Sequence, residues 1–522
     1  MATKIYDVVV IGSGAGGGTL SASLAQRGVD VLVLEGGPTV NTRTDFNTHA
    51  LPFEFPNRSI PTMKPGKPGF DSERSRGVGG KTMLWNAVAL RMSQRDFKGR
   101  QHDGTGEDWP IDYADLKPYY DKIESEVGVC GNYDHLEDLP DGIFLPPVPM
   151  KCSDKIIQAG AAKLGVPVIH VRKATLSRPA KTRPACHFCG NCMAGCDVVA
   201  KYNSADVQML PAIKSGKPLT IRPNSVAYEL AIAADSPRVK EVRYFDRETR
   251  AEGVAQGRVV VVACACVQSV GLLLMSKSSR FPTGLANSSG ELGKNFIPHI
   301  NVGIEAFLEE RIGVPTTDDE GFLDHAYIPS FMHDKKRDFP RSFGYQFNYQ
   351  NQRSVGWARR MKGMGKAYKA DVKSHYPAYI TFTGYQEMVP NADSYIDLDP
   401  DTKDVYGLPA VRRRFKLSSD DWKNFQAMRE SGVNILEASH GHIHSVSQVP
   451  TPNHEIGGCR MGDDPKRSVL NKFARAHDVQ NLYVVDASIF PGASEKNPTL
   501  TIMALASRTA DHIAESLQKG DV

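Results

Sequence analysis

Four cysteines, Cys186, Cys189, Cys192 and Cys196, stand as C-x2-C-x2-C-x3-C within PACHFCGNCMAGCD. That spacing lets several thiolates converge on one inorganic centre. It is the bacterial ferredoxin run without its closing proline, and it favours an iron–sulfur cluster, 3Fe-4S or 4Fe-4S. Structural zinc and redox-active thiols are the other chemistries it admits. Four ligands is an upper bound, because a three-iron cluster leaves one cysteine unused. A second constellation runs from His454-Glu455-Ile456-Gly457-Gly458-Cys459-Arg460-Met461-Gly462 to Asn497-Pro498-Thr499-Leu500-Thr501. Imidazole is the side chain best matched to accept a proton near neutrality, but one histidine among fifteen carries no assignment without its neighbours.

The elements that position these groups begin at Lys4–Gly37. Ile5 to Ile11 is an apolar, β-branched run, and Gly12-Ser13-Gly14-Ala15-Gly16-Gly17 follows at once. Leu20 and Leu24 continue with helical spacing, and a second apolar run, Val29 to Leu34, ends at Glu35. Gly12 permits the tight turn, Gly14 lets the backbone approach a pyrophosphate, and Gly17 lets helix pack on strand. Glu35 stands where a carboxylate accepts hydrogen bonds from a ribose. The pattern predicts a bound dinucleotide; without one it is an ordinary βαβ turn. At the far end, Pro498 suits the first turn of a closing helix, whose free N–H groups suit the pyrimidine edge of a flavin.

At 522 residues the chain is long enough for two or three lobes, and 41% hydrophobic with 23% charged residues is ordinary for a soluble enzyme. A net charge of +4 is small for this length and argues against nucleic acid as a partner. The longest apolar run, Val259 to Val267, is far short of the ~20 residues that span a bilayer, and the N-terminus has no export signal pattern. Nine cysteines, an odd number, give no support for a disulfide framework. Asn41 to Phe70 reads as an extended excursion over a flavin-sized ligand, and Arg76 to Asn86 holds a second glycine cluster. Asp115 is expected to open a helix to about Val127. Leu219–Arg222, Ala227–Ala233 and Val239–Phe245 read as a small sheet, then Arg258–Ala263 as a return to the nucleotide-binding core. The basic stretch from Arg353 to Lys373 reads as a solvated loop rather than a docking surface, and a helix is expected from Ser419 to Ser439.

Taken together, the glycine fingerprint, Gly77-Val78-Gly79-Gly80, Trp109-Pro110, Leu292-Gly293-Lys294-Asn295, the HxxGxCRMG segment and the Asn497 segment resemble the glucose–methanol–choline (GMC) family of flavin oxidoreductases. The resemblance implies an α/β plus α+β fold, with a Rossmann-like FAD-binding domain and an antiparallel-sheet substrate domain. It divides the chain into FAD-binding parts at 1–100, 201–298 and 451–522, helices and the cysteine segment at 101–200, and the substrate domain at 299–450. It implies a catalytic pair at His454 and Asn497. FAD contacts fall at Gly12, Gly14, Gly17, Glu35, Gly79, Gly80, Thr82, Asn86, Val226, Asp486, Ala487, Pro498 and Thr499. FAD is expected to be non-covalent, because Leu84 occupies the place of the histidine that links to flavin in some members. Flavin contacts around Cys264-Ala265-Cys266 are left unassigned, since the family's second glycine signature is altered there.

The cysteine quartet is similar to that of the cluster-bearing catalytic subunits of sugar dehydrogenases acting on glucose, gluconate or glycosides (glucoside 3-dehydrogenase among them). The resemblance therefore implies a sugar or glycoside substrate, a small accessory subunit and a cytochrome c acceptor. The membrane is reached only through partner subunits. With no signal of its own, the chain is expected in the periplasm by co-export or in the cytoplasm. His454 is expected to take the hydroxyl proton while Asn497 orients the substrate over flavin N5. An oxygen-using oxidase with structural zinc and a non-catalytic flavin-binding electron-transfer protein are the alternatives.

Overall fold

The computed structural model describes residues 4–47, 60–61, 73–233, 236–315, 326–332, 337–348 and 355–522, with backbone alone at 60–61, 73–74 and 348. Most of the Asn41–Phe70 excursion, and Arg353, lie outside the described residues.

The strand Ile5–Ile11 is central. Its valines are buried on both faces, as a parallel strand under helices requires, and it pairs in parallel with Val31–Leu34 (Val8↔Val31) and with Glu252–Val262 (Val8↔Val259). Leu219–Arg222 extends the sheet beyond Val31–Leu34, and Leu482–Val484 adds to Glu252–Val262, both in parallel. Ser225–Ile232, Val239–Asp246 and Glu252–Val262 form an antiparallel meander on the same sheet. These strands are therefore continuous with the nucleotide-binding core and form no separate small sheet. The helix Ala15–Gln26 packs on this sheet beside the last helix, Thr499–Lys519.

A second sheet is antiparallel, in the order Gly441–Val446, His299–Leu308, Tyr379–Gln386, Phe343–Asn348, Ala326–Ile328, Ile169–His170, with Thr451–Asn453 also on His299–Leu308. Alternate residues point to opposite faces. Ile300, Val302, Gly384 and Tyr345 face the helix Ser419–Ala438, where the Tyr345 hydroxyl donates to the Met428 carbonyl at 2.5 Å. His299, Asn301, Thr383, Tyr385 and Gln346 are the other face, the one turned to the site.

Two further expectations need correction. The helix expected from Asp115 starts at Tyr113, because Asp112, not Asp115, is its cap: each of the two carboxylates accepts from the other residue's backbone N–H in a capping box. The basic stretch is not a loop throughout, since Gly365–His375 is a helix with its lysines in solvent. Among the described residues no helix is long and apolar enough to cross a membrane.

Candidate active site

A cavity of about 320 Å³ opens where the glycine turn, the second glycine cluster and the start of the last helix meet. Gly12 has φ +103°, and a side chain there collides with the Ala263 carbonyl. Gly17 is closed off by the Gly12 carbonyl and by Ala263 Cβ at 3.1 Å, so it serves helix–strand contact and does not line the cavity. Gly14 differs: a Cβ there meets nothing within 4 Å, which leaves its backbone open to a ligand. Gly80, at φ +55°, abuts Gly14 so closely that a Cβ would lie 2.9 Å from its Cα. Two side-chain-free turns thus form one cradle of backbone, as a pyrophosphate requires.

Gly12, Gly14, Glu35, Gly80, Thr82, Val226, Asp486, Ala487, Pro498 and Thr499 all line the cavity; Gly79 and Asn86 do not. Gly79 instead donates its N–H to Ser13 Oγ at 2.9 Å, tying the two glycine turns together. Glu35 accepts from Ser13 Oγ at 2.6 Å and from the Gly37 N–H at 2.9 Å, and burial raises its pKa. Asp486, whose pKa burial also raises, accepts from Ser269 Oγ at 2.5 Å.

Sequence reasoning missed several walls. Cys264, Ala265, Cys266 and Gln268 line the cavity despite the altered signature there, with Ala265 at φ +71°. The hairpin Tyr395–Lys403/Pro409–Arg414 contributes Asp404, Tyr406, Leu408 and Val411, and the Arg76 guanidinium lies 5.4 Å from the Tyr406 ring. The hairpin carried no signal, because its contact depends on how it folds back; the Cys264 wall was left unassigned because its signature is altered.

His454 sits on the cavity wall and Asn497 beside it, with His454 Nε2 3.3 Å from Asn497 Nδ2. Register explains the placement. Asn453 pairs with His299, so the next residue, His454 at φ +40°, reaches His299, and the two Nδ1 atoms lie 2.9 Å apart. Gln346 donates from Nε2 to Asn497 Oδ1 at 2.5 Å, and the Tyr385 ring stacks 5.2 Å from the His454 ring. Burial, then the nearby His299 and Lys81, lowers the His454 pKa well below the ordinary value of 6.5. His299, fully buried, is lowered to about 4, chiefly by burial.

The cysteines are near one another but do not make the expected cage. Among the described residues, no group of three or more His, Cys, Asp or Glu side chains is set to hold a metal ion. Their mutual influence is plain. Burial and then Cys192 raise the Cys186 pKa, and burial lifts Cys189 to about 11. The N–H of Phe188 donates to Cys186 Sγ at 3.3 Å and that of Lys201 to Cys196 Sγ at 3.5 Å. Buried Lys201 donates from Nζ to the carbonyls of Cys192 (2.6 Å), Met83 (2.9 Å) and Trp85 (3.0 Å), which joins the cysteine segment to the cavity wall.

The amino-terminal GMC oxidoreductase family model matches residues 15–301 and the carboxy-terminal one residues 390–506. The chain belongs to the GMC oxidoreductases. As a member it is an FAD-dependent oxidoreductase acting on CH–OH groups. It is 28% identical to the fructose dehydrogenase large subunit of Gluconobacter japonicus, over 99% of both chains. It is 30% identical to 2-methyl-1,2-propanediol dehydrogenase of Mycolicibacterium austroafricanum, over 97% of this chain and 95% of the other. The GMC fold is shared with formate oxidase, at a TM-score of 0.68, 14% identity and full coverage of both chains. The cradle fits FAD in a GMC protein: open backbone at Gly14 and Gly80, a carboxylate at Glu35, and a helix start at Pro498 and Thr499.

Proposed function

We propose that this chain is a dehydrogenase that oxidises a hydroxyl of a sugar or glycoside to a carbonyl, with His454 as base and Asn497 as hydrogen-bond donor to the substrate oxygen. The approach of His454 Nε2 to Asn497 Nδ2 at the wall of the FAD cavity carries this reading. When bound, FAD accepts the hydride that leaves the substrate carbon. That carbon releases hydride readily only while its hydroxyl loses a proton, and His454 Nε2 is placed to take it. Asn497, its amide held by Gln346, steadies the oxygen as negative charge develops. The site face of the second sheet, with Asn301, Thr383, Tyr385 and Gln346, suits a substrate rich in hydroxyls.

In the same reading, electrons leave through an iron–sulfur cluster at Cys186, Cys189, Cys192 and Cys196 to an external acceptor such as a cytochrome c, with a small accessory subunit and co-export to the periplasm. Support comes from the cysteine spacing, from the N–H groups aimed at two sulfurs, and from a relative that is itself named a large subunit. The thiols must close together to hold iron, and no catalytic step above depends on their doing so. Dye-linked reduction screened over free sugars, glycosides, aldonic acids and simple alcohols tests the substrate class. Peroxide formed in air as fast as the dye is reduced would make the chain an oxidase. Zinc in place of iron would make the cysteine segment structural.

A further inference from the structure

A base at His454 must keep Nε2 free of a proton, so the neutral ring has to carry its proton on Nδ1. Which nitrogen is protonated is set by the hydrogen bond that the other makes. We propose that His299 is a positioning residue that sets this tautomer: its Nδ1 accepts the Nδ1 proton of His454 and leaves Nε2 free for the substrate. The inference rests on the reading of His454 as the base.

The hydrogen-bond directions agree from Gln346 through to His299 Nδ1. Gln346 Nε2 donates to Asn497 Oδ1, so the Asn497 amide turns its Nδ2 toward His454. Nδ2 is only a donor, so His454 Nε2 accepts and the ring proton lies on Nδ1. At 2.9 Å from that Nδ1, His299 Nδ1 must accept, which places its own proton on Nε2, a buried nitrogen with no hydrogen-bond partner among the described residues. Burial keeps His299 neutral down to about pH 4, so it stays an acceptor across the working range. The other charged groups acting on the pair are Lys81 on His454 and Lys496 on His299, and both oppose a second positive charge. Glu455, next in sequence, is engaged by Arg413 at 2.5 Å.

In the step itself the substrate O–H bond breaks and a His454 Nε2–H bond forms, the oxygen's electron pair makes the C=O bond, and the C–H hydrogen would leave with its electron pair as the hydride that bound FAD accepts. His454 becomes an imidazolium, and its Nδ1–H bond to His299 strengthens because the donor is now charged. A histidine that merely filled space opposite Asn453 would do neither.

Asparagine and glutamine separate these roles. In His299→Asn an amide oxygen falls close to the place of Nδ1, whereas in His299→Gln it falls at the place of Nε2 and misses His454. Stopped-flow flavin reduction at saturating substrate is expected to stay within a few fold of wild type in H299N. In H299Q it should drop on the order of 10²-fold, with FAD content and half-saturating substrate concentration little changed in both. Long-range 15N–1H NMR of the histidine rings should show an Nδ1-protonated ring, assigned through its loss in His454→Ala, in wild type and H299N but not in H299Q. Equal rates in H299N and H299Q, or an Nε2-protonated His454 in wild type, overturns the proposal even if H299Q fails to fold. If His454→Ala reduces flavin at the wild-type rate, the base assignment itself falls, whatever the His299 variants do.

Discussion

At His454 the imidazole is easier to keep neutral than charged, because burial, His299 and Lys81 all disfavour the cation. Two consequences follow for pH. With His454 in its proposed role as base, flavin reduction should hold its plateau through the ordinary histidine value of 6.5 and fall only at lower pH, as stopped-flow traces across pH 5 to 8 would show. Stability falls in the same direction but sooner. Between pH 6.5 and about 4 the unfolded chain binds protons at His299 and His454 that the folded chain refuses, so the melting temperature should drop as pH falls through that window. Gln346→Leu should slow flavin reduction about tenfold with FAD retained, because Asn497 loses the contact that aims its amide; an unchanged rate would leave Asn497 self-orienting. His454 and Asn497 were legible through their motifs. Their partners His299 and Gln346, 155 and 151 residues distant, were not, because cross-strand register brings them there and no local pattern records it.

Among the elements, the first βαβ unit was the most readable, since strand, glycine turn, helix and acid each have a local physical cause. Gly17 tests how much that unit carries. A Cβ there drives into the Gly12 carbonyl and Ala263, so Gly17→Val should push the helix Ala15–Gln26 off its sheet and lose FAD on gel filtration. Gly14→Ala meets open space in the protein alone and should fold normally, with weaker FAD retention as its main defect. The hairpin bearing Tyr406 was unreadable because a long excursion returns to the nucleotide end, and only the finished packing decides which of its residues touch the cavity; the wall at Cys264–Gln268 was left unassigned because its glycine signature is altered. The basic helix Gly365–His375 was missed because its apolar stripe is short, Tyr368 and Val372 among exposed lysines.

Over the whole molecule, the cavity is shared by segments near residues 11–36, 75–85, 225–227, 263–275, 404–411, 454–455 and 486–502. A ligand that touches so many segments binds the folded state and not the unfolded one. Added FAD at about 100 times its Kd should therefore stabilise the apoprotein by about 2.7 kcal/mol, read as a rise in melting temperature that scales with FAD concentration. A flat response would mean that the walls are not set by folding. The same sharing has a consequence for synthesis. The central strand Ile5–Ile11 leaves the ribosome early, but its neighbour Glu252–Val262 and the closing contacts at Pro498 and Thr499 come far later. At about 5–20 residues per second that interval is on the order of a minute. During it the nascent chain presents a glycine turn with no far wall, so the flavin can be enclosed only after the segment 486–502 has emerged, and cofactor supply matters late rather than early.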